Sequence, residues 1–361
     1  MDLSVMFFGA DSATPTASTP AACGGFGGHE RAYQDILALT RAADRLGFHA
    51  VWTPERHFQQ VGQVFPSPPV LSAALAVATE RIAVRAGSVV LPLHHPLRVA
   101  EDWAVVDNLS HGRVGISLAT GWHSADFALA PDHYADRRER TLRAVPHLRA
   151  LWAGTAAQYP DGTGAPVQLT PHPRPVQPHL PLWITASGNP ATWEAAGRLR
   201  TGVLAATAGH TRAELAERIT RYRAAAAAAP DQGGTGPRGR VTVMAHTFVG
   251  TSDAHARHLA ARPLKDYLAS YTRQSAADRA GDPRTAALTP QQTALLTDYA
   301  FERYLAWGGL LGSPATCAAF LADLQALGCD EVACFIDFGI ETDEVLDQLH
   351  RLAELRKALH R

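Results

Sequence analysis

Three short segments carry residue types that could do chemistry. Glu55-Arg56-His57 sets a carboxylate, a permanent cation and an imidazole in succession. An imidazole titrates near neutral pH and suits hydrogen bonding or proton transfer, whereas an Arg offers a fixed positive charge to a developing anion. The competing role for His57 is support of the Glu55 or Arg56 geometry. Ser187-Gly188-Asn189-Pro190 reads as a helix start, with Asn189 as its cap and Pro190 in its first turn. Free backbone N–H groups and the helix dipole would favour a phosphate there; an ordinary capped helix is the alternative. His94-His95 and Gly121-Trp122-His123 add imidazole and indole groups at two further turns.

Several chemistries are excluded. No His-x-x-x-His pair accompanies His57, His94, His95 or His123, and His255 with His258 lies on a surface-like helix, so no metal site is expected. Ser187 does not sit in a Gly-x-Ser-x-Gly elbow. The lysines are Lys265 and Lys357, which leaves no Gly-Lys-Ser/Thr phosphate loop and argues against Schiff-base catalysis. Cys23, Cys317, Cys329 and Cys334 include no Cys-x-x-Cys pair and form no disulfide framework. Lys+Arg is 33 against 34 for Asp+Glu, so neither a nucleic acid nor a membrane surface is an expected partner. No run approaches about 18 apolar residues, and a soluble cytoplasmic protein is expected. Arg137, Arg138, Arg140, Arg143 and Arg149 read as a solvated helix face, with docking of an acidic or carrier-protein partner as the weaker reading.

The elements that must position these residues alternate. Strands are expected at 3–8, 50–53, 82–91, 114–118, 182–185, 202–205, 240–249 and 331–338, each short and apolar. Helices are expected after each one, including 96–109, 136–152, 190–199, 212–229, 253–271, 291–305, 315–327 and 343–359. Ser67-Pro68 opens another, and Gly47 ends the first. The segment 159–181 is a Pro/Gly-rich excursion with room for a short hairpin. Residues 9–28, 230–239 and 274–290 read as loops. Eight strand–helix units in 361 residues imply a (β/α)8 TIM barrel with insertion loops. A doubly wound open sheet would need a Gly-x-Gly-x-x-Gly turn directly after the first strand, and Gly24 to Gly28 lies too far along. In a barrel, the segments singled out above all fall just past strand ends, where such folds keep their chemistry.

At this point four motifs, in order, resemble those of bacterial luciferase-like flavin monooxygenases. They are Trp52 to Phe58 (WTPERHF), Val89 to Pro96 (VVLPLHHP), Asp107 to Arg113 (DNLSHGR) followed by Gly115-Ile116, and Ile184 to Asn189 (ITASGN). The spelling, including Gly121-Trp122-His123, is most similar to the branch associated with polyketide and nonribosomal-peptide biosynthesis. The resemblance implies one luciferase-like barrel domain over residues 1–361. It implies reduced FMN, delivered by a separate flavin reductase, reacting with O2. The flavin phosphate is expected over Ser187, Gly188 and Asn189, and the ring near Phe8, Gly9, Ser88 and Thr120, with Trp122 or His123 at the substrate mouth. Luciferases carry Glu-His-His-Phe where this chain has Glu55-Arg56-His57-Phe58. Arg56 therefore replaces the first His, and would meet an anion formed when oxygen reaches the flavin, or a substrate phosphate.

The expected function is a monooxygenase tailoring a natural-product intermediate, either a small molecule or a carrier-protein-bound group. Glu55, Arg56 and His57 are its candidate catalytic residues. A homodimer is the family expectation; Leu71, Leu75 and Trp103 are apolar positions that could serve an interface or the core. Two other readings stand beside it: an F420-dependent hydride-transfer oxidoreductase on the same barrel, and a flavin-binding protein without catalysis.

Overall fold

The computed structural model describes residues 1–9, 27–58, 62–230, 239–278 and 289–359. The expected loops at 9–28 and 230–239 lie almost wholly outside these residues, as does most of 274–290. In chain order the elements are β1 (Asp2–Met6), α1 (Gly27–Leu46), β2 (Ala50–Thr53), α2 (Pro68–Ala78), β3 (Ala83–Val90), α3 (Pro96–Leu109) and β4 (Val114–Ala119). Then come α4 (Arg137–Ala153), β5 (Ala157–Pro160), β6 (Pro166–Leu169), β7 (Leu182–Thr185), α5 (Pro190–Arg198), β8 (Gly202–Ala206), α6 (Arg212–Ala228) and β9 (Val241–Val249). The chain continues through α7 (Asp253–Asp278), α8 (Pro290–Ala306), β10 (Gly309–Gly312), α9 (Pro314–Ala326), β11 (Glu331–Phe335) and α10 (Thr342–Leu359).

Eight parallel strands close in the order β1-β2-β3-β4-β7-β8-β9-β11, with β11 returning to β1. This is the expected (β/α)8 barrel. Buried on both faces, its strands read as nearly unbroken apolar runs rather than alternating ones. β5 and β6 form an antiparallel hairpin off the barrel. Two expectations need correction. Residues 274–278 continue α7 rather than opening a loop. A strand, β10, was not foreseen; it pairs Gly309–Gly312 with the upper part of β9, His246–Val249. Its sequence, GLLG, is too short and glycine-rich to carry a strand signal.

The lumen is filled in layers. At its floor the Glu331 carboxylate accepts from Ser4 Oγ (2.5 Å), Trp52 Nε1 (3.1 Å), Arg85 Nη1 (2.9 Å), Arg240 Nε (3.0 Å) and Thr242 Oγ1 (3.2 Å). Burial alone would raise its pKa, but the Arg85 and Arg240 guanidiniums hold it down at about 2. Above lie Met6, Trp52, Trp183, Leu204 and Ala333, with the two indoles edge to face at 5.2 Å. Trp183 fits because its neighbours are glycines: a Cβ on Gly202 would come within 2.4 Å of Trp183 Cδ1, and one on Gly115 within 2.9 Å of its ring.

On the outside, Leu71, Leu75 and Trp103 are buried in the main core and so pack within the monomer. Val70 and Val77 of α2, and Val105 and Leu109 of α3, are the exposed ones. One of the motifs, Asp107 to Arg113, serves the scaffold through both its ends. Asp107 receives the amides of Val176 and Gln177, tying down the excursion before β7. Arg113 donates to the carbonyls of Ala76, Thr79 and Ile82. Much of the arginine run on α4 is used locally. Arg140 and Arg143 pair with Asp136, Arg137 bonds to the carbonyls of Gly121 and Tyr134, and Arg149 bonds to those of Leu199 and Arg200. Among the described residues no helix is long and apolar enough to cross a membrane.

Candidate active site

Glu55, Arg56 and His57 follow β2 directly. The Glu55 side chain is fully buried, with 0% exposure. Its Oε2 accepts from the Val90 amide (2.6 Å), and its Oε1 takes Nε2 of both His57 (2.9 Å) and His94 (2.6 Å). Burial would raise the Glu55 pKa, but the bonds from His57 and His94 outweigh it and leave it lowered. For His94, burial works downward, yet the bond and charge of Glu55 prevail and raise it. An ionised carboxylate only accepts, so both imidazoles donate from Nε2. Glu55 thus fixes ring orientation and tautomer for two histidines.

Arg56 is buried, and its guanidinium lies 4.0 Å from the centroid of the Phe8 ring and 5.9 Å from that of Trp122. The loop after β2 must pass very close to β1 to achieve this. Gly62 donates its amide to Gly9 O (2.8 Å); both glycines have positive φ, and a Cβ on either would approach the other strand's loop within 3 Å. Phe8 and Gly9 are held in turn by Asp337, which accepts both their amides at 2.8 Å. Burial pushes the Asp337 carboxyl up to about 7.

On the opposite side, a register shift between Gly87 and Val89, across a cis Gly87–Ser88 peptide, turns Ser88 toward the lumen. There Thr185 Oγ1 bonds to both Ser88 Oγ and Ser117 Oγ, the latter at 2.7 Å. Two residues beyond Thr185, the exposed Ser187-Gly188-Asn189 turn leads into α5. Asn189 Oδ1 caps the helix by accepting from the Ala191 amide (3.0 Å), as its residue type suggested. The Ser187 carbonyl accepts from Trp193 Nε1 (3.0 Å), which fixes the turn. Nothing lies within 4 Å of where a Cβ on Gly188 would stand. The turn therefore offers an open, amide-rich cradle, and the hydroxyl trio offers bonding groups for a polar ring edge. Both fit a flavin mononucleotide.

Thr120 is half-buried just past β4, Trp122 is exposed and His123 half-buried, with the last two rings 5.3 Å apart. All the expected site residues therefore converge on the C-terminal rim of the barrel. Others there were not singled out. Asp126 is buried with its Oδ1 unpartnered among the described residues; burial raises its pKa against the opposing charge of Arg56 nearby. Asp337 lies two residues past Phe335, where β11 ends; the expected strand at 331–338 ran over it, so it was not read as a strand-end residue. Asp126 had no strand-end signal, because it sits in a short 3-10 turn seven residues past the end of β4.

Comparison with known proteins follows from this geometry. The model of the luciferase-like monooxygenase family matches residues 1–331. The chain belongs to that family. It is 26% identical over 331 residues to the oxygenase component of the flavin-dependent trigonelline monooxygenase of Acinetobacter baylyi, covering 89% of this chain and 88% of that one. Among solved structures, monooxygenase RslO1 from Streptomyces bottropensis is similar over 100% of both chains, with a TM-score of 0.79 and 23% identity. The oxygenating constituent of 3,6-diketocamphane monooxygenase from Pseudomonas putida, a type II Baeyer–Villiger enzyme in complex with FMN, has a TM-score of 0.70 and 17% identity, covering 98% of this chain and 97% of that one.

Proposed function

We propose that this chain, a flavin-dependent monooxygenase by family, uses reduced FMN and O2 to oxygenate a natural-product intermediate, free or tethered to a carrier protein. The observation that carries the reading is the cradle at the start of α5, two residues from the lumen hydroxyls that Thr185 joins. Ser187, Gly188 and Asn189 would hold the phosphate by backbone amides and the helix dipole. Ser88, Thr120 and the backbone of Phe8 and Gly9 would border the ring, with Ser117 and Thr185 added to that set. When bound, reduced FMN supplies the electrons that activate oxygen; the protein's part is binding, orientation and exclusion of water.

Glu55 is read as the orienting group rather than a direct participant. With Nε2 of His57 committed to Glu55, its Nδ1 is left to hold or move a proton. Arg56, buried and stacked on Phe8, keeps a positive charge beside the ring site for a developing anion. Trp122 and His123 border the mouth.

The relative from Acinetobacter is an oxygenase component, which supports a separate flavin reductase as partner here. The exposed Val70, Val77, Val105 and Leu109 on packed helices α2 and α3 support a homodimer through that face. A cytoplasmic setting agrees with the free, buried thiols of Cys317, Cys329 and Cys334. The last strand and helix close the barrel beyond residue 331, and we read residues 1–361 as one domain.

The test is titration of the purified chain with FMN and with F420, followed by oxygen uptake with FMN and a reductase. FMN binding and flavin-dependent oxygen consumption are expected, and Ser187→Glu should abolish the binding. Tight F420 binding without oxygen consumption would replace this reading with hydride transfer. FMN binding with no oxygen uptake would leave a non-catalytic flavin protein.

A further inference from the structure

One buried polar group at the rim has no task in the reading above. His246 lies on β9, and its direction follows from strand alternation. Thr242 reaches Glu331 at the lumen floor, and Met244 packs against the Trp52–Trp183 layer, so His246 faces the lumen one level higher. It is 7% exposed, and its Nε2 has no hydrogen-bond partner among the described residues. Aromatic rings surround it: Phe335 at 4.3 Å, Tyr267 at 4.9 Å, Tyr304 at 5.0 Å and Phe338 at 5.5 Å between centroids. Phe8 continues the wall, 5.1 Å from Phe335.

The position of this wall in the barrel matters. His246 stands on β9, Phe335 on β11 and Phe8 just past β1, with Tyr267 of α7 and Tyr304 of α8 packed onto them, whereas the hydroxyl trio stands on β3, β4 and β7. In the closed strand order these two triplets are diametrically opposed, four strands apart centre to centre. One side of the upper lumen therefore carries the hydroxyl trio, and the other carries aromatic rings packed around a buried imidazole. A buried donor or acceptor left without a partner is unfavourable. At the mouth of the lumen, a ligand could complete it.

We propose that the wall around His246 seats the organic substrate, a flat uncharged conjugated ring bearing a carbonyl or phenol oxygen that hydrogen-bonds to His246 Nε2. This deepens the flavin reading and rests on it for the place of the cofactor opposite. The half-buried rings of Phe8 and Tyr304 supply stacking area, and the imidazole supplies a directional contact that sets which edge of the substrate turns toward the cofactor. Burial holds the imidazole neutral, with its pKa lowered to about 3, so it presents either a donor or an acceptor and no charge. His246 is thus a specificity-determining residue, and the substrate class is an oxygenated aromatic rather than a saturated chain or an ion.

The experiment measures binding to the purified full chain of 2-naphthol, naphthalene and N-methylquinolinium, alongside binding of FMN. Wild type is expected to favour 2-naphthol over naphthalene by about five- to tenfold, the worth of one neutral hydrogen bond. His246→Phe should erase that ratio while leaving FMN affinity unchanged, and His246→Gln, which keeps a polar group there, should restore most of it. His246→Leu replaces His246→Phe if the larger ring fails to fold. Absence of saturable 2-naphthol binding, a ratio that survives His246→Phe, or preference for the cation would each overturn the proposal. Failure of wild type to bind FMN would instead strike at the cofactor reading, with the naphthol ratio still reporting on the wall.

Discussion

Replacing Glu55 by Gln tests the centre of the site with little change of shape. The amide oxygen can keep the Val90 N–H, now 2.6 Å from Oε2, which turns the NH2 group toward the two imidazole nitrogens at 2.9 and 2.6 Å. Two charge-assisted bonds worth about 1.5–3 kcal/mol each are then lost. Each histidine can shift its proton to Nδ1 and accept from the amide, recovering about 1 kcal/mol apiece. The net cost is about 1–4 kcal/mol at neutral pH. The pH dependence is the sharper signature. Glu55 has a lowered folded pKa, so its contribution is present above the unfolded value of 4.5 and fades as pH falls through the folded one. His94 has a raised folded pKa, so its contribution is complete below 6.5 and fades as pH rises through the folded value. The pair therefore adds most stability between those two limits. Denaturant titrations of wild type and Glu55→Gln from pH 4 to 8 should give a difference curve that peaks in that window. A difference that is flat across this range, or a variant as stable as wild type at pH 5.5, would refute the claim that Glu55 is ionised and clamps both rings.

Three other outcomes are expected. Gly202→Ala drives a methyl into Trp183, 2.4 Å away, and should cost about 1–3 kcal/mol in denaturant melts with a change in intrinsic fluorescence. Glu331→Ala leaves Arg85 buried without its carboxylate and should destabilise by about 3–5 kcal/mol in the same assay. Thr185→Val keeps the volume but breaks the link between Ser88 and Ser117, and should weaken FMN binding by about threefold to tenfold in a fluorescence titration without lowering the melting temperature by more than about 3 °C.

The parts of this molecule that could be read from the chain are those where local chemistry and global placement agree. Strands enclosed on both sides must be apolar throughout, so 114–118 and 182–185 stood out. Ser67-Pro68 and Asn189-Pro190 announce helix starts because a cap and a fixed φ serve the same local need wherever they occur. The rim followed once each strand end was read in turn. What escaped depends on neighbours distant in sequence. β10 is a strand only because β9 overruns the barrel and leaves its upper edge to be paired. Asp337 matters because it faces the amides of Phe8 and Gly9, 328 or more residues away. His246 looks like one imidazole in an ordinary strand until its four ring neighbours are assembled. The partner of His57 was visible as the adjacent Glu55, but the direction of support was not: the carboxylate serves the imidazoles.

The ionic knot of Arg85, Arg240 and Glu331, with the paired indoles above it, stoppers the barrel from beneath. Traffic is thereby confined to one doorway. Anything that occupies the upper lumen must then come and go across the C-terminal rim. A bulky product lingering there would bar the next cycle even with every reacting group intact.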